Sequence, residues 1–215
     1  MKSGNAELAD PKSIESLVAA FKRSSTAIIS DNLARLPGAI GIRPFHRGDG
    51  VMVGPAITVR VPAGDNLMIH KALDLVRPGD VVVVDGDGEI SRALIGEIMN
   101  TIAQVRGAAG FVIDGAIRDV GAIVASGLPC FARAAIHRGP FKNGPGEINV
   151  PVSIGGLIVA PGDIVVGDDD GVVAFPQAVA ADLLDAVRAQ EAREEEILRS
   201  IRDGTYTGAY GKSSR

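Results

Sequence analysis

Two short runs of β-forming residues, "VVVV" at 81–84 and "FVI" at 111–113, flank a segment of a different period. Between them, from Ser91 to Arg106, the apolar residues Leu94, Ile98, Ile102 and Val105 recur at helical spacing. Strand, helix and strand in this order belong to a sheet with helices packed on it. Later in the chain, "VPVSIGGLIVAPGDIVVGDDDGVVAFP" at 150–176 reads as consecutive short strands, which pair antiparallel. The two halves together predict an α/β fold with a mixed sheet. Hydrophobic residues make up 46 % of the chain but aromatics only 4 %, with no Trp, so Ala, Val, Ile and Leu must build the core.

Smaller elements fill in around this frame. Pro11 to about Leu36 carries Ile14, Leu17, Val18 and Phe21 at helical spacing, and "STAIISDNL" either continues that helix or breaks into a second one. "NLMIHKALDLV" and "VGAIVASG" read as short helices, "AITVRVP" and "PCFARAAI" as strands. Residues 39–50 and 137–149 are Gly- and Pro-rich loops, and 177–203 form a last, highly charged helix. No linker divides the chain. The expected organisation is an N-terminal helical segment at 1–24, one main domain at 25–203 and a loose tail at 204–215.

Several function classes fit poorly. A net charge of −4 without a basic, aromatic-interleaved stretch argues against a nucleic-acid partner. No apolar stretch has the length of a membrane span, so no membrane partner is expected. One cysteine, Cys130, excludes an internal disulfide and fits a reducing, cytoplasmic setting. His46, His70 and His137 are far apart and lack paired spacing. "GDGEIS" lacks the third glycine of a dinucleotide fingerprint, and "GDDDG" at 167–171 lacks the acid spacing of a calcium loop and reads as a hairpin turn.

Two places gather chemistry. A glycine inside a helix costs about 1 kcal/mol relative to Ala, a cost that vanishes if the helix begins at Gly96 and "ISRAL" is its approach. The backbone N–H groups of Gly96, Glu97, Ile98 and Met99 would then converge at a positive helix end suited to carboxylate or phosphate. Close packing of helix on sheet explains the same glycine equally well. The second place is "DGAIRDVGA" at 114–122, where an apolar strand runs into Arg118 beside Asp119. Arg118 can clamp a carboxylate and Asp119 can hold a hard divalent cation. A helix cap or a surface ion pair is the plainer alternative.

These residues, in this order, resemble a family. "ALIGEIMNTIAQVRGAAGFVIDGAIRDV" at 93–120 is similar to the signature of RraA-like proteins, which include class II 4-hydroxy-4-methyl-2-oxoglutarate aldolases. "TAIISDNL", "GPAITVRV", "PGDVVVVDG" and "VSIGGLIVAPGDIVVGDDDGVVAFP" extend the resemblance over about residues 25 to 200. It implies a swivelling β/β/α fold assembled as a homotrimer or homohexamer, with active sites between subunits. It implies a small 2-oxo acid substrate whose pyruvyl carboxylate sits on Gly96, Glu97, Ile98 and Met99, with Arg118 on the pyruvyl part. Asp119 would bind Mg²⁺ or Mn²⁺ directly. Glu97 and a last-helix glutamate from a neighbouring subunit (Glu191, Glu194 or Glu195, with Glu194 preferred) would stand in the outer shell. The activity implied is retro-aldol cleavage to pyruvate, with oxaloacetate decarboxylation beside it. The family also holds non-catalytic members that inhibit a ribonuclease; retention of both Arg118 and Asp119 favours catalysis here. A Schiff-base mechanism would need a buried lysine, and the body of the chain offers Lys22, Lys71 and Lys142.

Overall fold

A strand buried along its whole length needs cover on both faces, and three strands here are of that kind. The computed structural model describes residues 13–34, 38–48 and 50–208. Its elements are, in order, α1 Ile14–Phe21, α2 Thr26–Asn32, β1 Arg43–Pro44, β2 Met52–Arg60, α3 Leu67–Leu73, β3 Val81–Asp85, β4 Ala93–Ile95 and α4 Glu97–Val105. There follow β5 Gly110–Ile117, α5 Val120–Ser126, β6 Cys130–Ala135, β7 Glu147–Ile148, β8 Val152–Ile154, β9 Leu157–Val159, β10 Ile164–Asp168, β11 Gly171–Phe175 and α6 Ala180–Arg202.

The main sheet runs β1-β6-β5-β3-β2-β10-β11. Its centre is parallel (β2, β3, β5, β6), while β10 pairs antiparallel with β2 and β11, and β1 antiparallel with β6. This is the mixed α/β fold that the order of sequence periods predicts. Alternation along β3 divides the core. Val82 and Val84 face α3, α4 and α5, packing with Ile69, Leu73, Met99 and Ile123. Val81 and Val83 face the β8–β9 hairpin, packing with Val152, Ile154, Leu157 and Val159. A third cluster joins α1, α2 and α6 to β2, β10 and β11 through Phe21, Ile29, Val53, Ile164, Val166 and Leu184.

The N-terminal helical stretch breaks in two. Ser25 caps α2 with its hydroxyl on the Ile28 N–H at 3.3 Å, and Asp168 accepts from the Thr26 N–H (2.8 Å) and hydroxyl (2.6 Å). The "GDDDG" turn therefore closes the β10–β11 hairpin and also anchors a helix. Pro11 and Leu36, the expected ends of that stretch, lie outside the described residues, as does the tail beyond 208.

A larger correction concerns 91–106. Residues 93–95 form β4, parallel to the end of β5, and the helix starts only after Gly96. Ile98 and Val105, which share one stripe with Leu94 and Ile102 in a helix over 91–106, are 72 % and 84 % exposed. Gly96 as the break, rather than a mid-helix glycine, is the reading that holds.

One irregularity aims the site. Between Ile113 and Ala116, β5 carries one residue more than β6 opposite it, a bulge at Asp114–Gly115. A bulge bends its strand. Before it, β5 pairs with β3; after it, Ala116 and Ile117 pair with β4. The chain thus brings the residues after Ile117 beside Gly96.

Candidate active site

The ends of β4 and β5 bring together the two places singled out in the sequence. The Arg118 N–H donates to the Ile95 carbonyl at 3.0 Å, fixing the chain as it leaves β5. Asp119 then takes the left-handed conformation, φ 57° and ψ 39°, at the position preceding α5. Aspartate tolerates this region better than most residues, yet such positions cost on the order of 1–3 kcal/mol and cluster at functional sites. The conformation has a visible consequence. The Asp119 carboxylate makes no cap bond to α5; it turns back toward α4, where Oδ2 accepts the Glu97 N–H at 3.0 Å.

Gly96 permits that approach. It is extended (φ −154°, ψ −161°), so its backbone would suit any residue. A Cβ there would stand 2.4 Å from Asp119 Oδ2 and 2.9 Å from Arg118 Cγ. The glycine is needed for space.

At the start of α4 the first intrahelical bond runs from the Asn100 N–H to the Gly96 carbonyl at 3.0 Å, and Gly96, at the N-cap, has no side chain to cap the helix itself. The amides of Ile98 and Met99 therefore have no partner within the helix, whereas that of Glu97 is committed to Asp119. Of the four amides expected to form one anion cradle, that of Glu97 is taken, and Ile98 and Met99 present theirs at the open helix end.

Arg118 Nε lies 3.6 Å from Asp119 Oδ2, and both side chains are 42 % exposed. The pair forms a ridge between two concavities. One, about 130 Å³, is lined by Gly96, Ile98, Met99, Arg118 and Asp119, well below the roughly 300–1,000 Å³ of sites for drug-sized ligands. A small organic acid is the scale of ligand it suits. The other is bounded by Val120, Ile136 and His137.

The opposite wall of the smaller concavity holds residues that the sequence did not tie to Arg118 and Asp119: Asn66 and His70 from the start of α3, and Pro140 and Lys142 from the loop before β7. Asn66 is fixed by its Nδ2 donating to the Leu94 carbonyl at 2.9 Å. His70 is held below the ordinary imidazole range by burial and by the Lys142 charge, with Asp74 pulling the other way. Lys142 itself is exposed. An "SxxE"-type or His-pair signal would have drawn attention to these positions; none exists, since the residues meet only in the fold.

Other expected participants lie elsewhere in this chain. Glu194 is on α6, which packs against α1 and α2, and its Oε1 accepts from Gln190 Nε2 at 2.8 Å. Glu191, Glu194 and Glu195 line neither concavity. Any role for Glu194 beside Asp119 requires a second copy of the chain. Cys130 is wholly buried, and burial pushes its thiol up to about 12, so it is an inert core residue.

Among the described residues no three His, Cys, Asp or Glu side chains converge as a metal cage. The described residues of one chain thus form no closed, all-protein site of the structural zinc kind. The donor set fits a hard cation of the Mg²⁺ type, which keeps several waters and takes one or two carboxylates plus substrate oxygens. Asp119 offers such a carboxylate: Oδ2 holds the Glu97 amide, while Oδ1 has no hydrogen-bond partner.

No helix among the described residues is long and apolar enough to cross a membrane. Comparison with known proteins places this geometry in context. The chain is 42 % identical over 184 residues to a protein of Halalkalibacterium halodurans named "Putative 4-hydroxy-4-methyl-2-oxoglutarate aldolase", covering 85 % of this chain and 87 % of that one. In structure it is similar to an uncharacterized protein of Pseudomonas syringae pv. tomato, with a TM-score of 0.79 and 30 % identity over 88 % of this chain and 94 % of the other. It is similar also to the RNA-processing inhibitor RraA of Thermus thermophilis, with a TM-score of 0.64 and 31 % identity over 71 % and 93 % of the two chains. The RraA-like (Aldolase/RraA) family model matches residues 26–174, which include Gly96, Arg118 and Asp119, and the chain belongs to that family.

Proposed function

We propose that this protein is a divalent-metal-dependent aldolase that cleaves 4-hydroxy-4-methyl-2-oxoglutarate-type 2-oxo acids to pyruvate and decarboxylates oxaloacetate as a side activity. The observation that carries this reading is the Asp119 carboxylate, turned by a left-handed backbone away from its own helix and set beside an arginine and an open helix start. Asp119 is the residue to hold Mg²⁺ or Mn²⁺, which when bound supplies Lewis-acid polarisation of the 2-oxo group. Glu97, at the exposed start of α4, is placed for its outer shell.

The remaining work falls to the chain. The amides of Ile98 and Met99, at the positive end of α4, take the substrate's C1 carboxylate. When the C3–C4 bond breaks, its electron pair moves to C3 and on to the C2 oxygen, while the C4 hydroxyl gives its proton to a water molecule and becomes a carbonyl. Arg118 stands where it stabilises the charge developing at C2. A proton delivered to C3 completes pyruvate. Lys142 and His70, across the concavity, face the distal end of the substrate, where a second carboxylate meets the Lys142 cation. Loss of CO₂ from oxaloacetate leaves the same enolate, so the same residues serve it.

Among the described residues Lys142 is the one lysine brought to the cavity, which keeps the Schiff-base alternative concrete. Such a lysine needs desolvation to lower its pKa, and Lys142 is exposed. Borohydride with pyruvate should leave the enzyme active. The similarity to an RNA-processing inhibitor favours a second reading, that of a non-catalytic partner of a ribonuclease; it predicts no pyruvate release with any divalent metal. The deciding assay measures pyruvate from both substrates, with Mg²⁺ or with EDTA, for wild type and Asp119→Asn. Release that requires metal and disappears in the variant supports the aldolase. No release by folded, metal-supplemented wild type overturns it.

A further inference from the structure

We infer that Asp65 is a positioning residue: its carboxylate straps the loop carrying Lys142 onto the first turn of α3, and so sets the distal wall of the substrate cavity. The inference rests on the reading of that cavity as the substrate site. Asp65 is 3 % exposed. Its Oδ1 accepts the Leu67 N–H at 2.9 Å, at the start of α3. Its Oδ2 accepts the N–H groups of both Asn143 and Gly144, the latter at 3.1 Å. One side chain thereby joins two segments far apart in sequence.

An ionised carboxylate suits this task in a way that an amide does not. Three backbone donors converge on it, two of them on one oxygen, and a carboxylate offers about four acceptor sites on its two oxygens. Asparagine would present NH₂ to one of the two segments. Burial pushes the Asp65 carboxyl up, but the amides of Leu67, Asn143 and Gly144 together outweigh burial and hold it below its ordinary value. The charge is balanced by backbone alone.

Little else holds the loop. Phe141, Lys142 and Asn143 are exposed and bury no apolar side chain in the core. The other ties are the Phe141 N–H to the Gly64 carbonyl (2.8 Å), the Asn66 N–H to the Phe141 carbonyl (3.0 Å), and Arg92, which stacks on Phe141 and donates to the Gly139 carbonyl. All of these act before Lys142 in the chain; after it, among the described residues, Asp65 is the first hold, and the next is β7, where Glu147 and Ile148 pair with β2. Segments with few buried contacts open locally at low cost. Without the strap, Lys142 would be free to leave the cavity edge, while the same carboxylate also stops ordering the turn that presents Asn66 and His70.

The test uses the full chain with its metal. Asp65→Ser keeps an oxygen two residues before the Leu67 N–H, a local pattern that serine forms, but cannot span to Asn143 and Gly144. Expected is a rise in KM of about tenfold, the scale of one hydrogen bond to a charged group. The kcat should stay within about twofold, and on a Lys142→Ala background Asp65→Ser should change KM no further, as coupled positions require. Amide exchange at Asn143 and Gly144 should lose its protection in Asp65→Ser. Unchanged KM, or additive effects of the two substitutions, would overturn the inference, as would retained amide protection. If wild type releases no pyruvate at all, the functional reading fails by that result, and the exchange measurement still decides the strap by itself.

Discussion

Two Arg–Asp pairs meet at β5, one through Asp114 within the strand and one, Arg118 with Asp119, just past its end, and they are built for opposite ends. Asp114 is buried, with 7 % of its side chain exposed, and has spent both oxygens on the chain: Oδ1 on Arg133 Nε and Oδ2 on the Gly155 N–H at 2.8 Å. Its carbonyl takes the N–H groups of Gly86 and Gly88 as well. The Arg133 guanidinium is packed under Gly41 and Gly88, where a Cβ would come within 2.8 and 3.3 Å of it. Arg118 and Asp119 are half open, 3.6 Å apart, and Asp119 Oδ1 has no partner. A buried carboxylate with both oxygens used fixes the bulge at Asp114–Gly115; an open one with an oxygen left over is arranged for something that arrives. The difference lies in what each carboxylate still has to give.

The widest separation between the pairs should appear on removing their aspartates. Asp119→Asn keeps the side chain's size and its tolerance of the left-handed turn, and Asn can still accept the Glu97 N–H. On the proposed reading it removes several kcal/mol of transition-state stabilisation, about a thousandfold or more in kcat. Its unfolding midpoint should match wild type, because exposed substitutions stay within about 0.5 kcal/mol. A variant that lost stability instead would place Asp119 with Asp114 as a structural residue.

Asp114→Ala reverses the pattern. It leaves Arg133 partly buried without its partner, a loss of about 3–5 kcal/mol in denaturant unfolding. Stability within about 1 kcal/mol of wild type, well under that range, would mean that solvent reaches Arg133 and that the bulge is held by backbone bonds alone.

The contrast was only half legible in the sequence. Arg118 beside Asp119, after an apolar strand and in register with Gly96, is a local pattern, and it led to the site. Asp114 reads merely as the end of the same strand, because Arg133 and Gly155 reach it from β6 and from the β8–β9 turn. The meeting of Asn66, His70 and Lys142 with Arg118 and Asp119 stayed hidden for a related reason: a tertiary strap through Asp65 brings their segments together. The helix over 91–106 was misread through chance. Leu94 in the three-residue β4 happens to fall four positions before Ile98, so a short strand and the exposed face of α4 imitate one stripe. A strand of that length carries too few residues for its own period to show. The parallel centre and antiparallel edge were readable because whole runs of Val and Ile, rather than single residues, specify them.

Gly96→Ala tests the open pair by crowding it. The added methyl would meet Asp119 Oδ2 at 2.4 Å, so the carboxylate must move off the Glu97 amide. A displacement near 1 Å at a reacting centre costs about a hundredfold in kcat/KM, and the helix end itself tolerates alanine because Gly96 is extended. A crystal structure of the variant should show Asp119 rotated with α4 in place. Full activity would mean that the Asp119–Glu97 contact is incidental.

The smallest effect comes from the far wall, and it is one of pH. Burial and the nearby Lys142 charge lower the His70 pKa below its usual 6.5, against the pull of Asp74. As pH falls below about 6.5, the unfolded chain binds the proton before the folded one does, so stability rises with pH in this window. The contribution is fully present above that value and is lost as acid reaches the folded pKa. His70→Gln removes it, so between about pH 7.5 and pH 5.5 the variant's melting temperature should fall less than that of wild type. Lys142→Met separates the two causes. With the cation gone, only burial disfavours the imidazolium, and the His70 proton resonances should titrate at a higher midpoint than in wild type. An unchanged midpoint would show that the Lys142 ammonium spends its time away from His70, and the distal wall would then be built from α3 alone.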